Sequence, residues 1–105
     1  MPPKKVAAKG TEGKAQLHLL PYDFVTEVAR AMEFGTEKYG KHGYRAGVEW
    51  TEYIDATLRH MYAFADPAHD DLDEESKLSH LSHAAASIAM LVYLTKYKPK
   101  FDNRE

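Results

Sequence analysis

Residues 84–94, AAASIAMLVYL, are apolar on nearly every side when they are built as an α-helix. A helix without a polar face must be covered on all sides. Two other helices of the same chain would leave part of it open. The segment therefore predicts that a second copy of the chain packs against it, in an oligomeric helical bundle.

Two further helices are predicted upstream of this segment. The apolar helix itself is expected over residues 76–97, ending before Pro99. Apolar side chains that recur at helical spacing predict a first helix over 21–39 and a second over 49–66. Between those two, residues 40–48 contain three glycines and are predicted to be a loop.

The chain is expected to form one domain of the all-α class. Its 105 residues are too few for two separate cores, and no strand pattern occurs. Residues 1–14 mix proline, glycine, lysine and alanine without a period, which predicts a disordered basic tail. The three-helix domain is then expected over 15–98, followed by a C-terminal tail over 99–105.

The composition excludes several classes of function. The chain has no cysteine, and hence no disulfide, thiolate metal site or cysteine nucleophile. Without a signal peptide, or an apolar run of the ~18 residues that a membrane span needs, it is expected to be cytoplasmic and to have no membrane partner. The formal charge of −2 combines a basic start with an acidic remainder, which argues against duplex nucleic acid as a partner.

His80 and His83 are the most informative polar residues in the third helix. They lie three positions apart and so share a face, which continues into Ser87 and the apolar stripe. Paired histidines at this spacing can bind a metal in a helical bundle. The alternative is a hydrogen-bond network in the core.

The first two helices contain charged pairs with two possible roles each. Asp55 and Arg59 lie four positions apart beside His60, and could form either a surface ion pair or a metal ligand and a phosphate clamp. Glu33 and Glu37 could either face solvent or supply the hard oxygen ligands that Mg²⁺ and Mn²⁺ prefer.

The segment KYGKHGYR, residues 38–45, combines cations, aromatic rings and glycines. Lys and Arg side chains can bind phosphate, and Tyr side chains can stack on a base. The composition is consistent with a nucleotide contact or with an ordinary basic turn. It matches neither a Walker loop nor a dinucleotide-binding fingerprint.

Four segments together resemble the phage and prophage dATP/dGTP diphosphohydrolase N-terminal-domain family, a group of small MazG-like nucleotide pyrophosphohydrolases. They are LHLLPYDFVTEVARAMEFGTEKYG (17–40), YR-x-G-x-EW (44–50), YIDATLRHMYAFAD (53–66) and ES-x-L-x-HLSHAAASIAMLVYL (75–94). The resemblance implies an all-α MazG-like fold that works as a homodimer or homotetramer. It also implies cleavage of purine deoxynucleoside triphosphates to monophosphate and pyrophosphate, with Mg²⁺ or Mn²⁺ as cofactor.

Typical MazG enzymes carry Glu-x-x-Glu and Glu-x-x-Asp motifs on paired helices. This chain has His80-x-x-His83 where the second motif would align. Imidazole ligands favour Mn²⁺, Fe²⁺, Co²⁺ or Zn²⁺ over Mg²⁺, so another transition metal is an alternative cofactor.

The resemblance assigns three kinds of role to residues of this chain. The residues expected to be catalytic are Asp55, His60 and Glu75. Those expected to hold the nucleotide are Lys38, Tyr39, Arg45 and Arg59. Those expected to ligate metal are His60, His80, His83, Asp55 and Glu33.

Two alternatives to an enzyme remain. The chain could be an oligomeric phage accessory protein that binds a nucleotide or a metal without turnover. It could also be a structural oligomer whose histidines are polar groups of the core.

Overall fold

The structure is a computed structural model and describes residues 12–105, so most of the predicted basic tail lies outside the described residues. Its elements are the helices α1 (Tyr22–Tyr39), α2 (Trp50–Ala65) and α3 (His80–Tyr97), with 3₁₀ turns at Leu17–Leu19, Gly43–Ala46 and Pro99–Phe101. The described range contains no named strand. The predicted all-α class with three helices is confirmed.

Helix α1 begins and ends as its sequence predicts. Asp23 lies in the first turn, where its carboxylate faces the positive end of the helix dipole. Gly40 ends the helix with a φ of 79°, which glycine adopts without strain. The Gly40 N–H donates to the carbonyl oxygen of Thr36 at 3.0 Å and so satisfies one of the last carbonyl groups of the helix.

Helix α3 begins at His80, so the prediction that it starts at residue 76 was wrong. The Ser79 hydroxyl accepts a hydrogen bond from the Leu81 N–H at 3.1 Å, which makes Ser79 the N-cap. Lys77 has a φ of 63°, outside the helical range. The His80 N–H donates to the carbonyl oxygen of Asp71 at 3.0 Å, so the acidic loop folds back onto the start of the helix.

Helix α3 packs against both α1 and α2 and forms the centre of the domain. The buried hydrophobic residues of the described range are Ala31, Trp50, Ala84, Ala86 and Leu94. Three of the five are alanines, so the helices pack closely but bury little apolar area. A core this small provides limited stability by itself.

Much of the apolar surface of α3 is left open by the chain. Ile88 and Val92, one turn apart, are each 49% exposed. Phe24 and Val25 on α1, and Met61 on α2, are also exposed. These side chains are the surface that a second copy would cover, and packing between copies stays a prediction. Within residues 12–105 no helix combines the length and hydropathy needed to cross a bilayer.

The C-terminal segment, predicted to be a tail outside the domain, contacts the start of α2. The Asn103 side chain accepts from the Thr51 N–H at 3.1 Å and donates to the Glu49 carboxylate at 3.0 Å. Glu49 makes no side-chain capping bond of its own, so Asn103 caps α2 from the other end of the chain. The Arg104 guanidinium lies 4.7 Å from the ring centroid of Trp50.

Replacing Asn103 by alanine tests this cap. We expect Asn103→Ala to lower the free energy of unfolding by about 1 kcal/mol, the usual cost of losing a helix cap. Urea unfolding followed by circular dichroism measures the change, and the exposed terminal residue provides a control in Glu105→Ala. Equal stabilities of Asn103→Ala and the control would contradict the assignment.

Candidate functional site

A cleft of about 980 Å³ is bounded by α1, the loop over residues 40–48, α2 and α3. This volume is at the upper end of the range for small-molecule sites. Its aromatic lining residues are Phe34, Tyr39, Tyr44 and Tyr53. Its charged lining residues are Glu33, Lys38, Lys41, Glu52, Asp55, Arg59, Asp73 and Glu75. Carboxylates therefore outnumber cationic side chains in the cleft.

Three histidine rings from α2 and α3 meet beside this cleft. His60 Nδ1 lies 2.9 Å from His80 Nδ1. The ring of His60 also stacks on that of His83, with 4.9 Å between centroids and 17° between planes. His60 and His83 line the cleft, whereas His80 is buried behind them and only 6% exposed.

His83 is held in position from two sides. The Ser76 hydroxyl accepts from the Leu78 N–H at 3.2 Å and lies 2.6 Å from His83 Nε2. The Ser76 hydroxyl can therefore donate its proton to His83 Nε2. In that case a neutral His83 carries its ring proton on Nδ1. The edge of the Phe34 ring packs against the imidazole, with 5.9 Å between centroids.

Asp73 belongs to the loop between α2 and α3, and backbone groups orient its carboxylate. Its Oδ2 accepts from the N–H groups of Ser76 at 2.9 Å and Glu75 at 3.1 Å. Burial raises the pKa of Asp73, but the hydrogen bonds from Ser76, the nearby His83 and the bond from Glu75 outweigh it, so the pKa lies below its usual 3.8. Asp73 is thus an anion at neutral pH.

The two histidines that line the cleft are held neutral by their surroundings. Burial lowers the pKa of His60, and the neighbouring rings of His83 and His80 lower it further. Burial also lowers the pKa of His83, against an opposing effect of the Asp73 carboxylate. A neutral imidazole keeps a lone pair with which it can accept a proton or bind a metal.

His60, Asp73 and His80 are the one group of three possible metal ligands in the part of the chain that the structure describes. One ligating atom from each lies within 4.8 Å of the other two. Imidazole nitrogens and a carboxylate oxygen are ordinary ligands of divalent transition metals. The donor set therefore fits a divalent cation.

The other predicted metal ligands lie outside this group. His83 Nε2 is bonded to Ser76. Glu33 and Asp55 line the cleft, where their carboxylates could instead meet a cation that arrives with a ligand. Asp55 and Arg59 make no ion pair within residues 12–105, so the predicted surface pair between them does not form there.

Lys38 and Glu75, predicted to be a phosphate ligand and a catalytic carboxylate, contact each other. Lys38 Nζ lies 2.8 Å from Glu75 Oε1, and the side chains are 47% and 64% exposed. Such an exposed pair contributes little to stability. It therefore opposes the binding of a phosphate group to Lys38 only weakly.

The remaining residues that are predicted to bind the nucleotide divide into two groups. Tyr39 and Arg59 line the cleft. Arg45 is not among the lining residues, and its guanidinium lies 5.8 Å and 5.3 Å from the ring centroids of Tyr44 and Tyr93. Arg45 therefore contacts Tyr44, which does line the cleft.

Sequence reasoning did not select Asp73 or Ser76 as site residues. The spacing Asp73-x-x-Ser76 is typical of an aspartate that accepts backbone hydrogen bonds in a tight turn. That pattern could have predicted the turn. Only the folded loop shows that the same carboxylate lies against His60 and His80.

Comparison with known proteins gives two matches. A family model described as dATP/dGTP diphosphohydrolase, N-terminal, matches residues 4–104. A dATP/dGTP diphosphohydrolase of Salmonella phage PMBT28 is 33% identical over 96 residues, which cover 91% of this chain and 32% of that protein. The chain thus spans about a third of the length of this relative. No solved structure matches the chain.

The lowered histidine pKa values predict how stability depends on pH. Below pH 6.5, the ordinary pKa of histidine, the unfolded chain takes up protons at His60 and His83 that the folded chain does not. The free energy of unfolding of the metal-free protein should therefore be highest above pH 6.5 and decrease as the pH falls below this value.

Urea unfolding at several pH values in the presence of a chelator measures this slope. His83→Gln removes one titrating ring, so its slope should be shallower than that of the unchanged protein. A slope of the same steepness in His83→Gln would contradict the assignment.

Proposed function

The chain belongs to the dATP/dGTP diphosphohydrolase N-terminal family, and from this premise we propose that it hydrolyses purine deoxynucleoside triphosphates to monophosphate and pyrophosphate. The observation that carries the proposal is the cleft, which combines aromatic rings, cationic side chains and carboxylates from α1, α2 and the loops that follow them. The aromatic rings could stack on the base, the cationic side chains could contact the phosphate groups, and the carboxylates could hold the accompanying cation.

The charge of the cleft supports a role for a divalent cation. Five carboxylates and three cationic side chains line it, so a triphosphate alone would be repelled. A Mg²⁺ or Mn²⁺ ion bound to the triphosphate supplies positive charge that neutralises the phosphates and can be held by carboxylates. Glu33 and Asp55 are the residues that we propose for this contact.

The cationic and aromatic residues of the cleft would orient the nucleotide. Arg59 makes no ion pair in the described residues and is therefore available to a phosphate group. Lys38 can exchange its exposed partner Glu75 for a phosphate oxygen. Tyr39 offers a ring on which a base can stack, and Tyr44, supported by Arg45, offers a second.

The hydrolysis itself requires a group that takes a proton from the attacking water. Water adds to a phosphorus atom of the α–β anhydride, the bridging P–O bond breaks, and its electrons remain on the leaving phosphate oxygen. We propose Asp55, His60 and Glu75 for proton transfer and for orienting the water. Because His60 is neutral, it can either accept this proton or hold a metal ion that would activate the water, in which case Asp55 or Glu75 would accept the proton.

The exposed apolar faces support assembly into a homodimer or homotetramer. Ile88 and Val92 on α3 are half exposed. A second copy that presents the same face of α3 would bury these side chains in both copies. The reaction would then take place in the cytoplasm of a bacterial or phage-infected cell.

Incubation of the purified protein with dATP or dGTP, and with Mg²⁺ or Mn²⁺, tests the proposed reaction. We expect equal amounts of monophosphate and pyrophosphate, measured by ion-exchange chromatography. Arg59→Ala should lower kcat/KM by about ten-fold or more, because a charged hydrogen bond to phosphate is worth roughly 1.5–3 kcal/mol. Arg30→Ala is the matched control, because Arg30 is exposed on α1 and does not line the cleft.

Release of no pyrophosphate with any pairing of nucleotide and metal would contradict the proposal. If the same nucleotides raised the melting temperature without being cleaved, the chain would instead be a binding module. Equal losses in Arg59→Ala and Arg30→Ala would refute the assigned role of Arg59.

A further inference from the structure

The contact between His60 and His80 has the spacing of two ligands of one ion. Their Nδ1 atoms are 2.9 Å apart. Metal bonds to imidazole nitrogen measure about 2.0–2.2 Å, which places neighbouring ligand atoms of one ion roughly 3 Å from each other. A hydrogen bond between two neutral rings has the same length, so the spacing alone does not distinguish the two interpretations.

The surroundings of His80 favour the metal. His80 is buried, with 6% of its surface exposed. Its Nε2 atom has no hydrogen-bond partner in the described residues. A histidine kept only for stability would therefore be a poor choice here, because a buried polar atom without a partner costs roughly 1–3 kcal/mol. An ion bound through Nδ1 would not satisfy Nε2, but its binding free energy would offset the cost of that unpartnered atom.

The third ligand is already oriented toward the pair. Both backbone hydrogen bonds that Asp73 accepts go to Oδ2, from the N–H groups of Glu75 and Ser76. The turn is closed by further backbone bonds, from the Asp73 N–H to the Leu78 carbonyl at 2.7 Å and from the Lys77 N–H to the Asp73 carbonyl at 2.8 Å. The carboxylate is thus fixed before any ion arrives.

His83 contributes position rather than a ligand. Its Nε2 is bonded to Ser76, and its ring lies flat against that of His60. It is absent from the group of ligating atoms that lie within 4.8 Å of one another. His83 therefore restricts the orientation of His60.

We propose that His60, Asp73 and His80 form a site that selects a late first-row divalent ion, such as Co²⁺ or Zn²⁺, over Mg²⁺. Two imidazole nitrogens and one carboxylate oxygen suit these ions, whereas Mg²⁺ prefers six oxygen ligands. The Glu33 and Asp55 carboxylates of the cleft remain for a cation that accompanies a nucleotide. The site does not depend on the proposed hydrolysis, since its ligands are complete without a nucleotide.

Titration of Co²⁺ into chelator-treated, untagged protein without nucleotide tests the site. We expect one Co²⁺ per chain, reported by its visible d–d absorption. Zn²⁺ should displace it at equimolar amounts, and a large excess of Mg²⁺ should not. Because no nucleotide is present, failure of this experiment would leave the hydrolase proposal standing, and failure of hydrolysis would leave the metal site standing.

Single substitutions identify the ligands. His60→Gln, Asp73→Asn and His80→Gln should each weaken Co²⁺ binding by about ten-fold or more. The matched control is His69→Gln, because His69 lies against the His80 ring, with 5.4 Å between centroids, but outside the ligand group. Asp73→Asn keeps the shape of its side chain, so it reports on ligation even if a histidine variant fails to fold.

Three results would overturn the proposal. They are the absence of Co²⁺ binding by the unchanged protein, displacement of Co²⁺ by Mg²⁺ at equal concentration, and an equal loss of affinity in His69→Gln and Asp73→Asn. His83→Gln should retain one Co²⁺ per chain, and loss of this stoichiometry in a folded His83→Gln variant would refute the placement of His83 outside the ligand set.

Discussion

The close approach of His60 to His80 determines how α2 meets α3. His80 is buried and His60 is half-buried at the contact between the two helices. Buried polar atoms need hydrogen-bond partners. The helices are therefore most stable in the one register that brings these two nitrogen atoms together. A shift of either helix by one residue would turn a ring by about 100° and leave both without a partner.

The packing of α3 against the other two helices also explains why a cleft remains open in so small a domain. Helix α3 contacts both other helices, and its side chains facing the cleft include the small residues Ala86 and Ser87. Larger side chains there would fill the space and increase the apolar core. The chain instead leaves a cleft beside three histidines and exposes apolar side chains such as Ile88 and Val92 elsewhere.

Helix positions could be predicted from the sequence because their signals are local. Apolar spacing located α1 and α2 to within one residue at each end, and Pro99 marked the end of α3. The start of α3 was missed because it depends on the turn around Lys77 and on a backbone bond from the loop to His80. Helical spacing alone does not show where such a turn replaces the first turn of a helix.

The site was partly predictable for the same reason. Histidines three positions apart on one helix share a face by geometry, so the pairing of His80 with His83 followed from the spacing. The position of His60 opposite them depends on the packing of two helices, and that of Asp73 on the path of a loop. These are contacts between residues distant in sequence, for which a single sequence carries no periodic signal. The resemblance to a family named His60, which the structure places against His80, but not the loop carboxylate of Asp73.

A double-mutant cycle between His60 and His80 tests the central claim most directly. Urea unfolding of the metal-free protein, of His60→Ala, of His80→Ala and of the double variant gives the coupling free energy between the two rings. Direct contact predicts a coupling of about 0.5 kcal/mol or more. If the two changes in the free energy of unfolding simply add, the rings do not touch in solution. That result would contradict both the described packing of α2 against α3 and the metal site proposed there.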